Sequence, residues 1–208
     1  MDSEEEKTLL KYFGTGADIR WSMHFQTLIN KKYSDYAPDE LLDWLERQDK
    51  DLQTEGREYG ESIEKHMKRV IIGKLKLLFG DNWDIEIGKI QRECEQRAKE
   101  EIERLYKEGL GRQNIQWTEM FFINDYKEII KKYWILTPEP KPDNFKTFQE
   151  EFAFDVGLGF NSKEEKIKWI SRFSSLRNLW AHAGTKEKGL NKEEVDFLKR
   201  IYDNFICK

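Results

Sequence analysis

Cysteine, histidine and proline are all scarce in this chain. Its 208 residues include two Cys, three His and four Pro. Cys94 and Cys207 stand far apart, so they form neither a disulfide framework nor a metal-ligand pattern, which suits a reducing cytoplasm. The shortage of proline and of β-branched runs favours helices over strands. No apolar run approaches the ~20 residues of a membrane span. The opening "MDSEEEKTLL" is acidic, unlike a signal peptide. The expectation is a soluble, cytoplasmic protein with no membrane partner. A basic excess is also missing: 36 Lys and Arg face 40 Asp and Glu, a net charge of −4. A protein that holds nucleic acid through its phosphates usually carries a surplus of positive charge, so any such contact here is local, or brief and catalytic.

Bulky apolar material is plentiful. Thirteen Phe, eight Tyr and seven Trp argue against disorder. The length allows one sizeable domain, or one domain with a smaller extension. No internal repeat is present. Residues 1–57 read as a helical N-terminal extension. "YAPDELLDWLERQDKDL" starts a helix with Pro38 in its first turn and Leu41, Leu42 and Leu45 as an apolar stripe.

From residue 58 to 208 the pattern becomes longer and more regular. "ESIEKHMKRVIIGKLKLLFG" places Ile63, Met67, Val70, Ile71, Leu75 and Leu78 on one face and closes at Gly80. "DIEIGKIQRECEQRAKEEIERLYKEGLG" turns Ile87, Ile90, Cys94, Ala98, Ile102 and Leu105 inward beneath a charged outer face. "TEMFFINDYKEIIKKYWIL" is a third helix, with Thr118 as the expected cap, and it stops before the Pro-rich "TPEPKPD". A short helix over "NFKTFQEEFAF" follows. Ser162 and Glu165 form a capping box for "SKEEKIKWISRFSSLRNLWAHAG", whose inward residues are Ile167, Ile170, Phe173, Leu176 and Leu179. Asn191 caps the last helix, with Val195, Leu198 and Ile201 as its stripe. No segment alternates long enough to be a strand. The expected fold is all-α, an antiparallel helical bundle with an N-terminal helical extension.

One helix end carries an unusual set of side chains. "SRFSSLRNLWAHAG" places Arg177, Asn178 and His182 in its last two turns. Arginine matches the oxygens of a phosphate with a fixed fork of donors. Histidine moves protons near neutral pH, and asparagine donates to a phosphate or orients a neighbour. Without a carboxylate cluster, this set suits RNA cleavage without metal, in which the substrate's 2′-hydroxyl is the nucleophile and the protein positions and stabilises the phosphate. On a straight helix, five positions at ~100° each turn Arg177 and His182 about 140° apart. They converge if the helix ends near His182, as Gly184 suggests, or if two chains pair so that one copy of the motif faces the other. The spacing is short, and chance also produces it in a chain with three His and eleven Arg. The plain alternative has Arg177 facing water or an acid, and His182 favouring the helix C-terminus through the dipole.

The surrounding pattern adds to this. "LRNLWAHAG" followed by "LNKEEVDFLKRIYDNF" resembles the C-terminal part of the HEPN superfamily (higher eukaryotes and prokaryotes nucleotide-binding). That family's signature is Arg, four to six residues, then His, often with a polar residue directly after the Arg. Upstream, "IGKIQRECEQRAKEEIERLYKEG", "DYKEIIKKYW" and "FQEEFAF" follow the layout of HEPN domains in RNA-cleaving toxins, in antiviral defence proteins and at the end of an mRNA quality-control endonuclease. The resemblance covers about Tyr59 to Phe205. It implies a dimerising bundle with the motif at a homodimer interface, and in many members a metal-independent endoribonuclease. Carried over, Arg177 binds the phosphate, His182 is the general acid or base and Asn178 orients one or the other. RNA is then the substrate, with a neutralising or activating protein as a further partner and no cofactor or metal. Other HEPN domains keep the fold as non-catalytic dimerisation or partner-binding modules.

Weaker candidates have plainer readings. His66 beside Lys65, Lys68 and Arg69 is either a small RNA-contacting patch or a solvated helix face. His24 has no partner at metal spacing. Trp180 is core or interface, while "GTGAD" at Gly14 and "GLGF" at Gly157 are turns.

Overall fold

The computed structural model describes residues 39–111, 113–181 and 189–207. These residues are all-α, with no strand among them. The helices are α1 (Asp39–Phe79), α2 (Trp83–Glu86), α3 (Gly88–Lys107), α4 (Ile123–Lys132), α5 (Phe148–Phe152), α6 (Lys163–Lys166), α7 (Lys168–Ala181) and α8 (Lys192–Phe205). No helix among the described residues is long and apolar enough to cross a membrane.

The sequence divided α1 into two helices, but it is one, running without a break through positions 57 and 58. The joining stretch "RQDKDLQTEGRE" is polar, so it shows no apolar stripe. It is built mostly of straight-chain residues that favour a helix, and Arg57 pairs with Glu61 one turn on at 2.8 Å. Gly80, at φ +64°, ends α1 as expected. The α4 cap differs from the expectation. Thr118 lies in a 3-10 turn (Trp117–Glu119), and α4 starts at Ile123, where Asp125 reaches back to accept the Phe122 N–H at 2.7 Å. A hydrophobic N-cap residue hides this start from a search for Ser or Thr. The Ser162–Glu165 box forms, but its helix is interrupted. At Ile167 the ladder tightens by one residue, with the Ile170 N–H donating to the Ile167 carbonyl at 3.1 Å before α7 continues.

The chain folds into two compact units. One comprises Ile63–Ser174 with Asn204–Lys208. Its core takes Ile63, Met67, Ile71 and Leu75 from α1, Ile90, Cys94 and Ala98 from α3, and Ile129 and Ile130 from α4. Ile170 and Phe173 of α7 are fully buried as well. Trp169 anchors an aromatic cluster. Its ring lies 4.8 Å from Phe154 and 5.9 Å from Phe205, and its Nε1–H donates to the Phe152 carbonyl at 3.0 Å, which removes the penalty of burying an indole N–H.

The other unit comprises residues up to Ser62 with Ser175–Asp203. Here the α1 face of Gln53, Gly56 and Gly60 meets the end of α7 and the start of α8. Leu176, Leu190, Val195 and Leu198 are buried, and Tyr59 packs on Tyr202 with ring centroids 5.2 Å apart. Asn191 caps α8 as expected. Its Oδ1 accepts the Glu194 N–H at 3.0 Å, and its own N–H donates to Glu194 Oε2 at 2.9 Å.

Candidate functional site

Arg177 and Asn178 sit in the last turns of α7, one residue after the buried Leu176 that turns this part of the helix inward. Arg177 is half-buried and Asn178 exposed. As adjacent residues they project about 100° apart. Leu176, in the same unit, is buried just ahead of them. α7 is described to Ala181, and His182, the third expected site residue, lies outside the described residues. His24 and the Gly14 turn lie outside them as well. No group of His, Cys, Asp and Glu that could hold a metal occurs among the described residues.

Trp180 is held within its unit. Its six-membered ring lies over Gly60 so closely that a Cβ there would fall 2.4 Å from Cη2 and Cζ2. Helix interiors disfavour glycine, so the close approach gives the reason for one at this point.

His66 sits in a more specific setting than a fully solvated helix face. Its ring is half-buried and packs edge-on against Phe205 at 4.6 Å, while Nδ1 lies 2.7 Å from Arg69 Nη2. Arginine can only donate, so Nδ1 accepts and the ring is neutral, with its proton on Nε2. Burial, then the Arg69 charge, lowers the His66 pKa, and Glu151 opposes them. His66 and Arg69 are therefore engaged with each other rather than presented together as free cations.

Two polar centres escaped the sequence reading. Lys74, on the core side of α1, is 7% exposed; it donates to the Lys146 carbonyl and pairs with Glu151 at 3.3 Å, above the Phe145 ring. Arg97 of α3 pairs with Asp125 at 2.5 Å, also donates to the Met120 carbonyl at 3.0 Å, and lies over the Phe122 ring. Both are satisfied by neighbours within their unit, which marks them as structural. Cys94 lies beside the second centre. Burial, and then Asp125, pushes its thiol up to about 11, so it stays protonated. A signal for Asp125 was present in principle, since an acid three residues after a helix cap is half of a capping box.

An open groove of about 450 Å³ runs along α3 past Lys89, Arg92 and Gln96, and a smaller cavity of about 270 Å³ lies between Ile87 and Ile129. Neither is lined by Arg177 or Asn178. Comparisons with protein families, with curated proteins and with solved structures find no match for this chain, so no family is assigned to it by likeness.

Proposed function

We propose that this chain is a metal-independent endoribonuclease of HEPN type, active in the cytoplasm as a homodimer and serving as a toxin or antiviral effector. The observation that supports this reading most is the placement of Arg177 and Asn178. Both stand at solvent-accessible positions near the end of α7, five and four positions ahead of His182. Residues 58–208 form the HEPN-like part in this reading.

In the proposed reaction the RNA 2′-hydroxyl attacks the adjacent phosphorus. Its proton goes to a histidine, the bond to the 5′-oxygen breaks, and that oxygen receives a proton from a second acid. The products are a 2′,3′-cyclic phosphate and a 5′-hydroxyl. Arg177 neutralises the charge that grows on the phosphate oxygens, and Asn178 orients the phosphate or the histidine. Two His182 side chains across a two-fold axis supply both acid and base.

The test is cleavage of single-stranded RNA by the purified chain in a chelator. Cleavage is expected to persist, and to fall by about 100-fold or more in His182→Ala and Arg177→Ala. A wild-type chain that leaves RNA intact refutes the proposal. The net charge of −4 favours a second reading, a non-catalytic HEPN-type module that docks a protein partner. In that case His182→Ala leaves partner binding unchanged.

A further inference from the structure

One face of α1 touches the described residues on both sides of positions 182–188. Gln53, Gly56 and Gly60 are spaced three and four residues apart, so they stack on one side of the helix. Gly60 receives the Trp180 ring, as described above. Gln53 grips the other side with both ends of its amide. Its Nε2 donates to the Leu190 carbonyl at 2.7 Å, and the Leu190 N–H donates to its Oε1 at 2.7 Å. Between them lies Gly56, where a Cβ would come within 2.5 Å of Leu190 Cδ1 and 3.0 Å of Val195 Cγ2. Gly189 approaches just as closely: a Cβ there would meet the Gln53 amide at 2.7 to 2.8 Å.

We propose that this face is a clamp, with Gln53 and Gly60 as positioning residues for the ribonuclease chemistry. They hold Trp180 and Leu190, and so fix where the chain leaves α7 and where it enters α8. The inference rests on the function proposed above, because the residue it serves is His182. Physically, a side-chain amide that satisfies both backbone groups of one residue restrains that residue as a β-ladder partner would. A glycine under an indole lets α7 approach α1 within its unit more closely than a larger residue would. Misplacing catalytic groups by about 1 Å can cost about 100-fold in rate, so such restraint has kinetic consequences.

The experiment uses the full chain and two readouts. The first is native-state trypsin nicking after Lys186 and Lys188, which does not depend on activity. Gln53→Ala and Gly60→Ala are each expected to accelerate nicking about ten-fold, in line with loss of one well-made restraint. Trp180→Phe, added to Gly60→Ala, is expected to restore the slow rate by removing the ring atoms that clash. The second readout is RNA cleavage. kcat is expected to fall about ten-fold in the single variants with KM unchanged, and to recover in the double variant.

Unchanged nicking in both folded single variants overturns the clamp. Faster nicking with unaltered kcat overturns its positioning role. A wild-type chain inert on RNA defeats the ribonuclease reading and the positioning role with it, while the nicking comparison still decides whether the clamp exists. Should the variants fail to fold, hydrogen exchange of the wild-type Leu190 amide decides the clamp. Slow exchange is expected, and exchange at the free-peptide rate overturns it.

Discussion

Asp125 and Arg97 form a centre in which one carboxylate oxygen does two jobs. Asp125 Oδ2 accepts from Arg97 Nη1 at 2.5 Å and from the Phe122 N–H at 2.7 Å, tying α3 to the first turn of α4. Asp125 is 7% exposed and the Arg97 side chain 20%, so removing Asp125 leaves the guanidinium, as oxygen partners, only the Met120 carbonyl and the longer Glu93 contact at 3.5 Å. Asp125→Ala is expected to destabilise the fold by about 3 kcal/mol, the range for breaking a buried pair. Chemical denaturation of the two proteins measures this, and a loss below about 1 kcal/mol contradicts it.

Two glycines of α1 respond in opposite directions to the same substitution. A Cβ at Gly73 meets nothing within 4 Å, whereas one at Gly60 collides with a rigid indole. Gly73→Ala is expected to stabilise by about 0.5–1 kcal/mol through helix propensity alone. Gly60→Ala is expected to destabilise by about 1–3 kcal/mol through overpacking. Thermal melts of both variants against wild type decide the matter, and shifts of the same sign refute it.

Stability should fall as pH drops below His66's ordinary value of 6.5. The lowered pKa of the folded ring means that the unfolded chain takes up the proton first, so acid favours unfolding until the folded ring protonates too. The carboxylates held low, Glu101, Glu150 and Glu164, begin to act only below their ordinary 4.5. His66→Gln should therefore flatten the dependence just below pH 6.5. Urea midpoints at several pH values provide the measurement, and equal slopes in both proteins rule the effect out.

The two thiols should separate cleanly. Cys207 is exposed, and Cys94 is buried with its thiol pushed up to about 11. A thiol reagent at neutral pH is expected to modify one cysteine in the native protein and two in denaturant. Mass spectrometry locates the adduct, and rapid native labelling of Cys94 goes against this assignment.

The sequence made some of these features legible and hid others for identifiable reasons. Apolar stripes on α1, α3, α7 and α8 were readable because burial there follows helical spacing, as Ile63, Met67 and Ile71 or Val195, Leu198 and Ile201 demonstrate. The caps at Ser162 and Asn191 were readable because the cap side chain itself makes the bond. The α4 start was not, because its cap residue is Phe122 and the acid acts from three residues inside. Lys74 carried no local signal, since its burial depends on the Lys146 carbonyl and Glu151, more than seventy residues away. At the candidate site, the residue types at 177 and 178 suggested a chemistry, while the contacts of Gln53 and Gly60 are long-range and leave no local pattern.

The Gln53 pairing also bears on how relatives of this chain could be recognised. Serving both the N–H and the carbonyl of one distant residue takes a donor and an acceptor at the reach of a glutamine, and asparagine is one methylene short. Position 53 should therefore tolerate little change, even where the rest of α1 drifts. Gln-x2-Gly-x3-Gly in one helix, followed much later by Gly-Leu-Asn at a helix start, makes a compact fingerprint, one that can survive after overall similarity has eroded.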